Sequence, residues 1–303
     1  MKHLLSLADI NQQELIDILD LADELKASRK TNIIHDVLKG QSVAMIFSKS
    51  STRTRVSFEV GIHELGGNPM YLDKNSLQLG RGEPIADTAK VLSRYVHAIV
   101  MRYHEHEDVV ELAENASVPI INALTDKYHP CQVLADLQTI REQIGKLEGI
   151  KVAYLGDGAS NMAYSWIIGA KLAGIDLHIA APKEFQPDLS LIPDVEGTGT
   201  LTVTDNCQDA VKDADIVYTD VWVSMGFESE AADRLEILKP YQVNQSLMDF
   251  AKADAKVMHC LPAYRGKEIT ADVLDGPQSV IWDEAENRLH VQKAVLAKLI
   301  GKK

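Results

Sequence analysis

The chain has 303 residues, a length that predicts about two domains. Its 46% hydrophobic and 25% charged residues are typical of a globular protein. The formal net charge of −13 argues against nucleic acid or an anionic membrane as a partner, because such a surface repels both. An anionic small ligand would therefore need positive charge gathered at one place.

The beginning of the chain turns polar and acidic after a short apolar run, which does not fit a secretory signal peptide. No apolar stretch approaches the roughly 20 residues needed to cross a bilayer. The three cysteines, Cys131, Cys207 and Cys260, include no C-x-x-C pair, which argues against a disulfide framework and a structural zinc site. We therefore expect a cytoplasmic protein.

The first half of the chain alternates between predicted helices and strands. Apolar residues recur at helical spacing over residues 10–28, and the apolar run 42–47 predicts a buried strand. A second helix should follow S-S-T-R-T-R and end at Gly66-Gly67. Further strands are predicted at 69–72 and 98–101, and further helices at 86–95, 108–115 and 133–144.

The second half repeats this alternation without repeating the sequence. A strand at 151–155 leads into G-D-G-A-S-N and a helix that runs to residue 173. Further strands are predicted at 177–181, 201–204, 216–219, 256–259 and 280–282.

Such alternation predicts an α/β protein with two doubly wound domains, each a mostly parallel sheet flanked by helices. We place the domains at 1–147 and 148–283, and we expect the last helix, 284–303, to pack back on the first domain. Ligands should bind at the carboxyl ends of the strands.

The run Ser50 to Arg55 lies where a strand gives way to a helix. Backbone N–H groups at a helix N-terminus attract anions, and hydroxyl and guanidinium groups add further donors. A capping cluster with solvated arginines is the alternative. The acidity of the rest of the chain favours the anion site.

A second candidate is His129-Pro130-Cys131-Gln132, a turn that opens a helix. A histidine beside a helix N-terminus can stay neutral and donate a hydrogen bond to a carbonyl oxygen. Taken alone, the motif is better explained by an ordinary capping turn. Arg102 follows the strand 98–101 and therefore lies at the carboxyl end of a strand, although a lone arginine there is more often a surface salt-bridge residue.

The turn G-D-G-A-S-N is similar to a dinucleotide-binding turn, but Asn161 stands where a third glycine is needed. An NAD-dependent oxidoreductase should also carry an acidic residue after the second strand, whereas Asp176 lies before the strand 177–181. A polar loop in which Asn161 offers both donor and acceptor groups suits an amino acid better.

Two further loops close predicted strands. Asp220 could hold an ammonium group and Ser224 a carboxylate, although a capping aspartate and a turn serine are the alternatives. We do not propose Cys260 as a nucleophile, because a buried, inert thiol is the more common outcome for a free cysteine. A cis bond before Pro262 could turn the Leu261 carbonyl into a site.

Taken together, S-x-R-T-R, H-P-x-Q, D-x-x-x-S-M-G and H-C-L-P in this order resemble the aspartate/ornithine carbamoyltransferase family. The last two motifs resemble its ornithine-specific members. The resemblance runs from Ser42 to about Val295, and it includes Gln78 in S-L-Q-L-G-R-G-E-P and Arg288 in D-E-A-E-N-R-L-H.

The resemblance implies that the first domain binds carbamoyl phosphate and the second binds L-ornithine. The implied carbamoyl phosphate residues are Ser51, Thr52, Arg53, Thr54, Gln78, Arg102, His129, Gln132 and Arg288. The implied ornithine residues are Asn161, Asp220, Ser224, Met225, Cys260 and Leu261. The implied catalytic residues are Arg53, Thr54, Arg102, His129 and Cys260. Gln78 matches a position supplied by the neighbouring subunit, which implies a homotrimer, or a multiple of it, with shared active sites.

The implied reaction gives L-citrulline and phosphate through a tetrahedral intermediate, needs no metal or cofactor, and belongs to arginine metabolism. One departure from the family pattern is Ser160, which stands where ornithine enzymes usually show the first of two adjacent asparagines. Enzymes for putrescine or N-acetylornithine stay open, although Asp220 favours a free amino acid. A non-catalytic binding protein is disfavoured by the intact motifs.

Overall fold

The structure, a computed structural model, describes residues 1–74, 77–223 and 231–302. The chain divides into two compact units, Met1–Gln138 with Glu286–Lys303, and Thr139–Ala285. The sequence predicts domain limits between residues 147 and 148 and between residues 283 and 284. These limits stay a prediction.

The first unit is built on a four-stranded sheet in the order β2-β1-β3-β4, in which every pairing is parallel. Its strands are β1 (Ser42–Phe47), β2 (Asn68–Asp73), β3 (Ala98–Arg102) and β4 (Ile120–Leu124). The helices that begin in this unit are α1 (Gln12–Lys30), α2 (Thr52–Glu64), α3 (Ile85–Leu92), α4 (His106–Asn115) and α5 (Pro130–Ile144).

Local signals in the sequence explain the limits of the first two helices. Asn11 and Glu14 form a capping box that starts α1. The chain leaves α2 through Gly66, whose φ of 81° favours glycine, and through Gly67, where a Cβ atom would lie 2.9 Å from the Cγ2 atom of Ile62. The predicted glycine stop is therefore confirmed.

The second unit is built on a five-stranded parallel sheet in the order β7-β6-β5-β8-β9. Its strands are β5 (Lys151–Leu155), β6 (Asp176–Ala180), β7 (Thr200–Thr204), β8 (Ile216–Thr219) and β9 (Lys256–His259). The helices that begin in this unit are α6 (Asn161–Ala173), α7 (Cys207–Val211), α8 (Ala231–Leu238), α9 (Gln245–Met248), α10 (Ala271–Leu274) and α11 (Ile281–Ile300).

The predicted fold class, two parallel sheets flanked by helices, is confirmed. In each sheet the order of the strands reverses next to one strand, which is β1 in the first sheet and β5 in the second. Strand β1 leads into the run Ser50 to Arg55, and β5 leads into the turn G-D-G-A-S-N. Such switch points are where parallel sheets bind ligands, at the carboxyl ends of the strands.

Two details differ from the sequence prediction. Strand β4 was not anticipated. The strand predicted at 280–282 is wrong, because Ile281 begins α11 and only Val280 keeps a sheet-like hydrogen bond, from its N–H to the Val257 carbonyl at 3.0 Å. An apolar run of three residues is too short to show either helical or strand periodicity, so the sequence could not distinguish a helix from a strand here. None of the described helices has the length and apolar character that a membrane span requires.

Candidate active site

The carboxyl end of β1 leads directly into the N-terminus of α2. Ser51 occupies the N-cap position with an extended backbone (φ −156°), and among the described residues its side chain makes no capping hydrogen bond. The first turn of this 13-residue helix contains no acidic side chain, and its Thr52 and Arg53 are exposed. Backbone N–H groups, hydroxyls and a guanidinium therefore meet at the positive end of a helix, as an anion site requires.

Thr54, in the same turn, is buried and forms the centre of a hydrogen-bonded cluster. Its Oγ1 atom accepts from Arg288 Nη2 at 3.1 Å and from Arg102 Nη1 at 3.4 Å. The Nη1 atom of Arg288 donates to Gln132 Oε1 at 2.6 Å, and Gln132 Nε2 donates to Asp136 at 2.8 Å. The structure thus brings together four predicted residues that lie up to 234 positions apart in the chain.

His129 immediately precedes α5, and its carbonyl oxygen accepts the Gln132 N–H at 3.1 Å. Its ring is buried. Burial, followed by the positive charges of Arg288, Arg102 and Arg53, lowers the pKa of His129 well below its ordinary value of 6.5. A neutral imidazole can donate a hydrogen bond to a carbonyl oxygen without adding another positive charge.

Two other residues near these motifs have different surroundings. Cys131 lies within α5, and burial raises the pKa of its thiol to about 12, so it is not a reactive thiolate. Gln78 is exposed at the start of a short 3-10 helix, Gln78–Arg81, which follows β2. Its predicted role in a neighbouring subunit's site stays a prediction.

In the second unit, Asp220 and Cys260 follow β8 and β9. The Cys260 thiol donates to Asp220 Oδ1 at 3.0 Å, and the Val221 N–H donates to the same oxygen at 2.7 Å. Burial raises the pKa of Asp220, and these two hydrogen bonds oppose that shift. An ammonium group is the ligand that this buried carboxylate suits best.

The G-D-G-A-S-N turn ends at the start of α6, where Asn161 is the first helical residue and is half-buried. Ser160 is the N-cap: its Oγ accepts the Ala163 N–H at 3.2 Å and lies 3.0 Å from Tyr154 Oη. The residue that departs from the family pattern therefore has a structural function in this chain, since serine is among the best capping residues.

A buried ion pair connects the same turn to α8. The Arg234 guanidinium pairs with Asp157 and donates through Nε to the Trp222 carbonyl at 3.0 Å. Sequence reasoning missed this pair, since Arg234 belongs to no motif. The predicted ligands Ser224 and Met225 lie outside the described residues.

The loop after β9 contains the Leu261–Pro262 peptide, which is cis, as considered from the sequence. The Leu261 N–H donates to His259 Nδ1 at 2.9 Å, and His259 Nε2 lies 3.2 Å from Glu268 Oε1. The backbone N–H of His259 donates to Glu284 Oε2 at 2.9 Å. Both carboxylates are fully buried, and neither was predicted as functional.

Three ligand-type atoms of Asp220, His259 and Cys260 lie within 4.8 Å of one another, a donor set that zinc accepts. However, the thiol donates to Asp220, and both ring nitrogens of His259 take part in hydrogen bonds. Hydrogen bonding therefore accounts for this arrangement without a metal.

The sequence matches two family models over nearly its whole length. Residues 2–142 match the carbamoyl-P binding domain of aspartate/ornithine carbamoyltransferase, and residues 148–299 match its Asp/Orn binding domain. The chain belongs to the aspartate/ornithine carbamoyltransferase family.

Several relatives of about half identity are named as ornithine carbamoyltransferases. The chain is 53% identical over 307 residues to ornithine carbamoyltransferase from Methanothermobacter thermautotrophicus, with 99% of each chain covered. It is 51% identical over 303 residues to the Archaeoglobus fulgidus enzyme, covering 100% of this chain and 98% of the relative. The solved structure of ornithine carbamoyltransferase from Pyrococcus furiosus matches with a TM-score of 0.93 and 49% identity, covering 100% of this chain and 98% of that one.

Proposed function

We propose that this chain transfers the carbamoyl group of carbamoyl phosphate to the δ-amine of L-ornithine, giving L-citrulline and phosphate. The observation that carries the proposal is the buried cluster in which Arg102 and Arg288 converge on Thr54 at the N-terminus of α2. The relatives, named as ornithine carbamoyltransferases at about half identity over full length, support the choice of substrates.

The first unit offers a site for carbamoyl phosphate. Its phosphate would accept hydrogen bonds from the backbone and side chains of Ser51, Thr52 and Arg53, where the dipole of α2 favours negative charge. The carbamoyl group would lie against the cluster formed by the remaining predicted residues of this unit, namely Thr54, Arg102, His129, Gln132 and Arg288.

The second unit offers a site for ornithine. Asp220 would bind the α-ammonium group, with Asn161 beside it at the start of α6, and Ser224 and Met225 stay predicted ligands of the α-carboxylate and its surroundings. Cys260 and the Leu261 carbonyl would receive the δ-amine. A buried carboxylate without a cation is unfavourable, so this site prefers an amino acid to an uncharged analogue.

The chemistry follows from the groups present. The neutral δ-amine attacks the carbamoyl carbon, and the carbonyl oxygen gains negative charge as the N–C bond forms. Arg53, Thr54, Arg102 and His129 donate hydrogen bonds to this oxyanion, an interaction stronger in the transition state than in the substrate. The C–O bond to phosphate then breaks, and the departing phosphate takes the amine proton.

We further propose that the chain works as a homotrimer, or a multiple of it, in arginine biosynthesis. Gln78 would then enter the site of a neighbouring subunit, for which its exposed position after β2 is suitable. The cytoplasmic location expected from the sequence stays a prediction.

Citrulline formation by the purified chain, supplied with carbamoyl phosphate and ornithine, tests the activity directly. Putrescine and N-acetylornithine serve as competing acceptors, and each lacks one of the two free groups of the amino acid. We expect the highest kcat/KM with ornithine. A preference for N-acetylornithine, whose α-nitrogen carries no charge, would contradict the role of Asp220, and a preference for putrescine would contradict binding of an α-carboxylate. Tight nicotinamide binding without citrulline formation would favour an oxidoreductase.

A further inference from the structure

The side chain of His259 is buried beneath the loop that carries Cys260 and Leu261, and the proposed mechanism gives it no role. Its Nδ1 atom accepts the Leu261 N–H at 2.9 Å, so the ring proton lies on Nε2. Nε2 donates in turn to Glu268 Oε1 at 3.2 Å. The hydrogen bonds therefore select one tautomer of the ring.

Glu268 connects the two ends of the same loop. Besides the His259 ring, its Oε1 atom accepts the Tyr264 N–H at 2.5 Å, and its side chain is fully buried. One carboxylate oxygen thus holds residue 259, at the end of β9, and residue 264, beyond the cis peptide. The segment between these residues contains both groups proposed to receive the δ-amine.

The backbone at Leu261 needs such support. Its φ of 59° lies in the left-handed region, which non-glycine residues rarely adopt and which persists only where surrounding contacts require it. The Leu261 N–H shares a rigid peptide plane with the Cys260 carbonyl, so its bond to His259 fixes that plane. The orientation of the next carbonyl, that of Leu261, depends on this plane.

We propose that Glu268, acting through His259, is a positioning residue that fixes Cys260 and the Leu261 carbonyl for the δ-amine of ornithine. The inference rests on the proposed function, because it takes from there the role of these two groups. Neither His259 nor Glu268 touches substrate in this proposal. Their effect is on the orientation of the attacking amine, and therefore on kcat more than on the binding of either substrate.

The test compares Glu268→Leu, which removes both hydrogen bonds, with Glu268→Gln, whose amide oxygen can still accept them. We expect kcat for citrulline formation to fall about 10- to 100-fold in Glu268→Leu, since misplacing an orienting group by about 1 Å costs on the order of 100-fold. The KM for carbamoyl phosphate should change less than about twofold, because binding on the first unit is untouched. Glu268→Gln should stay within about threefold of the original kcat.

A second readout separates positioning from a general loss of structure. L-Norvaline has the length of ornithine without the δ-amine, so its inhibition constant reports the amino-acid site alone. This constant should be nearly unchanged in Glu268→Leu. If Glu268→Leu does not fold, Glu268→Asp replaces it, because the shorter side chain withdraws the oxygen by about 1.5 Å while keeping the charge.

The result that overturns the inference is an unchanged kcat in Glu268→Leu, or an equal loss of norvaline binding and kcat. Cys260→Ala is measured alongside. If kcat falls in Cys260→Ala but is unchanged in Glu268→Leu, only the positioning role of Glu268 is refuted. If Cys260→Ala is as fast as the original chain, the proposed role of the loop fails instead.

Discussion

Replacing Thr54 with valine tests the cluster at the start of α2 most directly. Valine keeps the shape of the buried side chain and removes the hydroxyl that accepts from two guanidinium groups. The bond from Arg288, at 3.1 Å, has normal length, whereas the 3.4 Å separation from Arg102 exceeds the usual range and should contribute little. One hydrogen bond to a charged group is worth about 1.5–3 kcal/mol, which corresponds to roughly a 10- to 150-fold change in rate.

We therefore expect kcat/KM for carbamoyl phosphate to fall at least about tenfold in Thr54→Val, measured by citrulline formation at saturating ornithine. Thr54→Ser, which keeps the hydroxyl, is the matched control and should retain most of the activity. Thermal unfolding of both variants shows whether the fold is intact. A folded Thr54→Val variant with unchanged kcat/KM would refute the reasoning, because the hydroxyl would then neither align the arginines nor contact the substrate.

Three other changes probe the remaining parts of the molecule. Arg53→Ala should lower kcat about 10²- to 10³-fold while the protein stays folded, as the loss of one oxyanion donor does, and stopped-time citrulline assays would show it. Asp220→Asn should raise the KM for ornithine about tenfold or more and leave the KM for carbamoyl phosphate unchanged, since only the ammonium loses its charged partner; equal changes in both would argue against that role. Burial lowers the pKa of His290 to about 4, so the unfolded chain takes up a proton below about pH 6.5 that the folded chain refuses. Stability should therefore fall as pH drops from 6.5 toward 4, by about 1.4 kcal/mol per pH unit from this group, and urea unfolding of His290→Gln should show a smaller dependence.

The sequence predicted the architecture well because it depends on local patterns. Alternating apolar runs and amphipathic segments define both sheets, and turn residues such as Gly66 mark the ends of helices. The sequence did not reveal strand β4, because a polar residue, Asn122, lies in the middle of its short apolar run. Its side chain is buried, and its Nδ2 atom donates to the Leu5 carbonyl at 2.8 Å, a partner 117 residues away that no local pattern reveals.

The residues of the candidate site were likewise predictable only where a local motif marks them. Motifs identified residues at the strand ends, but only the resemblance to a family connected Arg288 with Thr54, which lies 234 positions earlier. Glu268 follows an exposed, charged turn and has the pattern of a surface residue, so nothing in the sequence marks it as fully buried. Buried side chains that act through another residue have no signature of spacing or composition.

The discontinuity of the first unit has a consequence for its synthesis. Residues 1–138 leave the ribosome before the second unit, yet the first unit also includes 286–303, which emerge after it. In this late segment, Arg288 reaches Thr54 and Lys293 donates to Glu64 at 2.7 Å. Domains tend to fold as units during translation, so the second sheet can be complete while the first unit still lacks the part of α11 that belongs to it. A nascent chain stalled before residue 286 would therefore lack Arg288, and the hydrogen-bonded cluster around Thr54 would be completed only after α11 is synthesised.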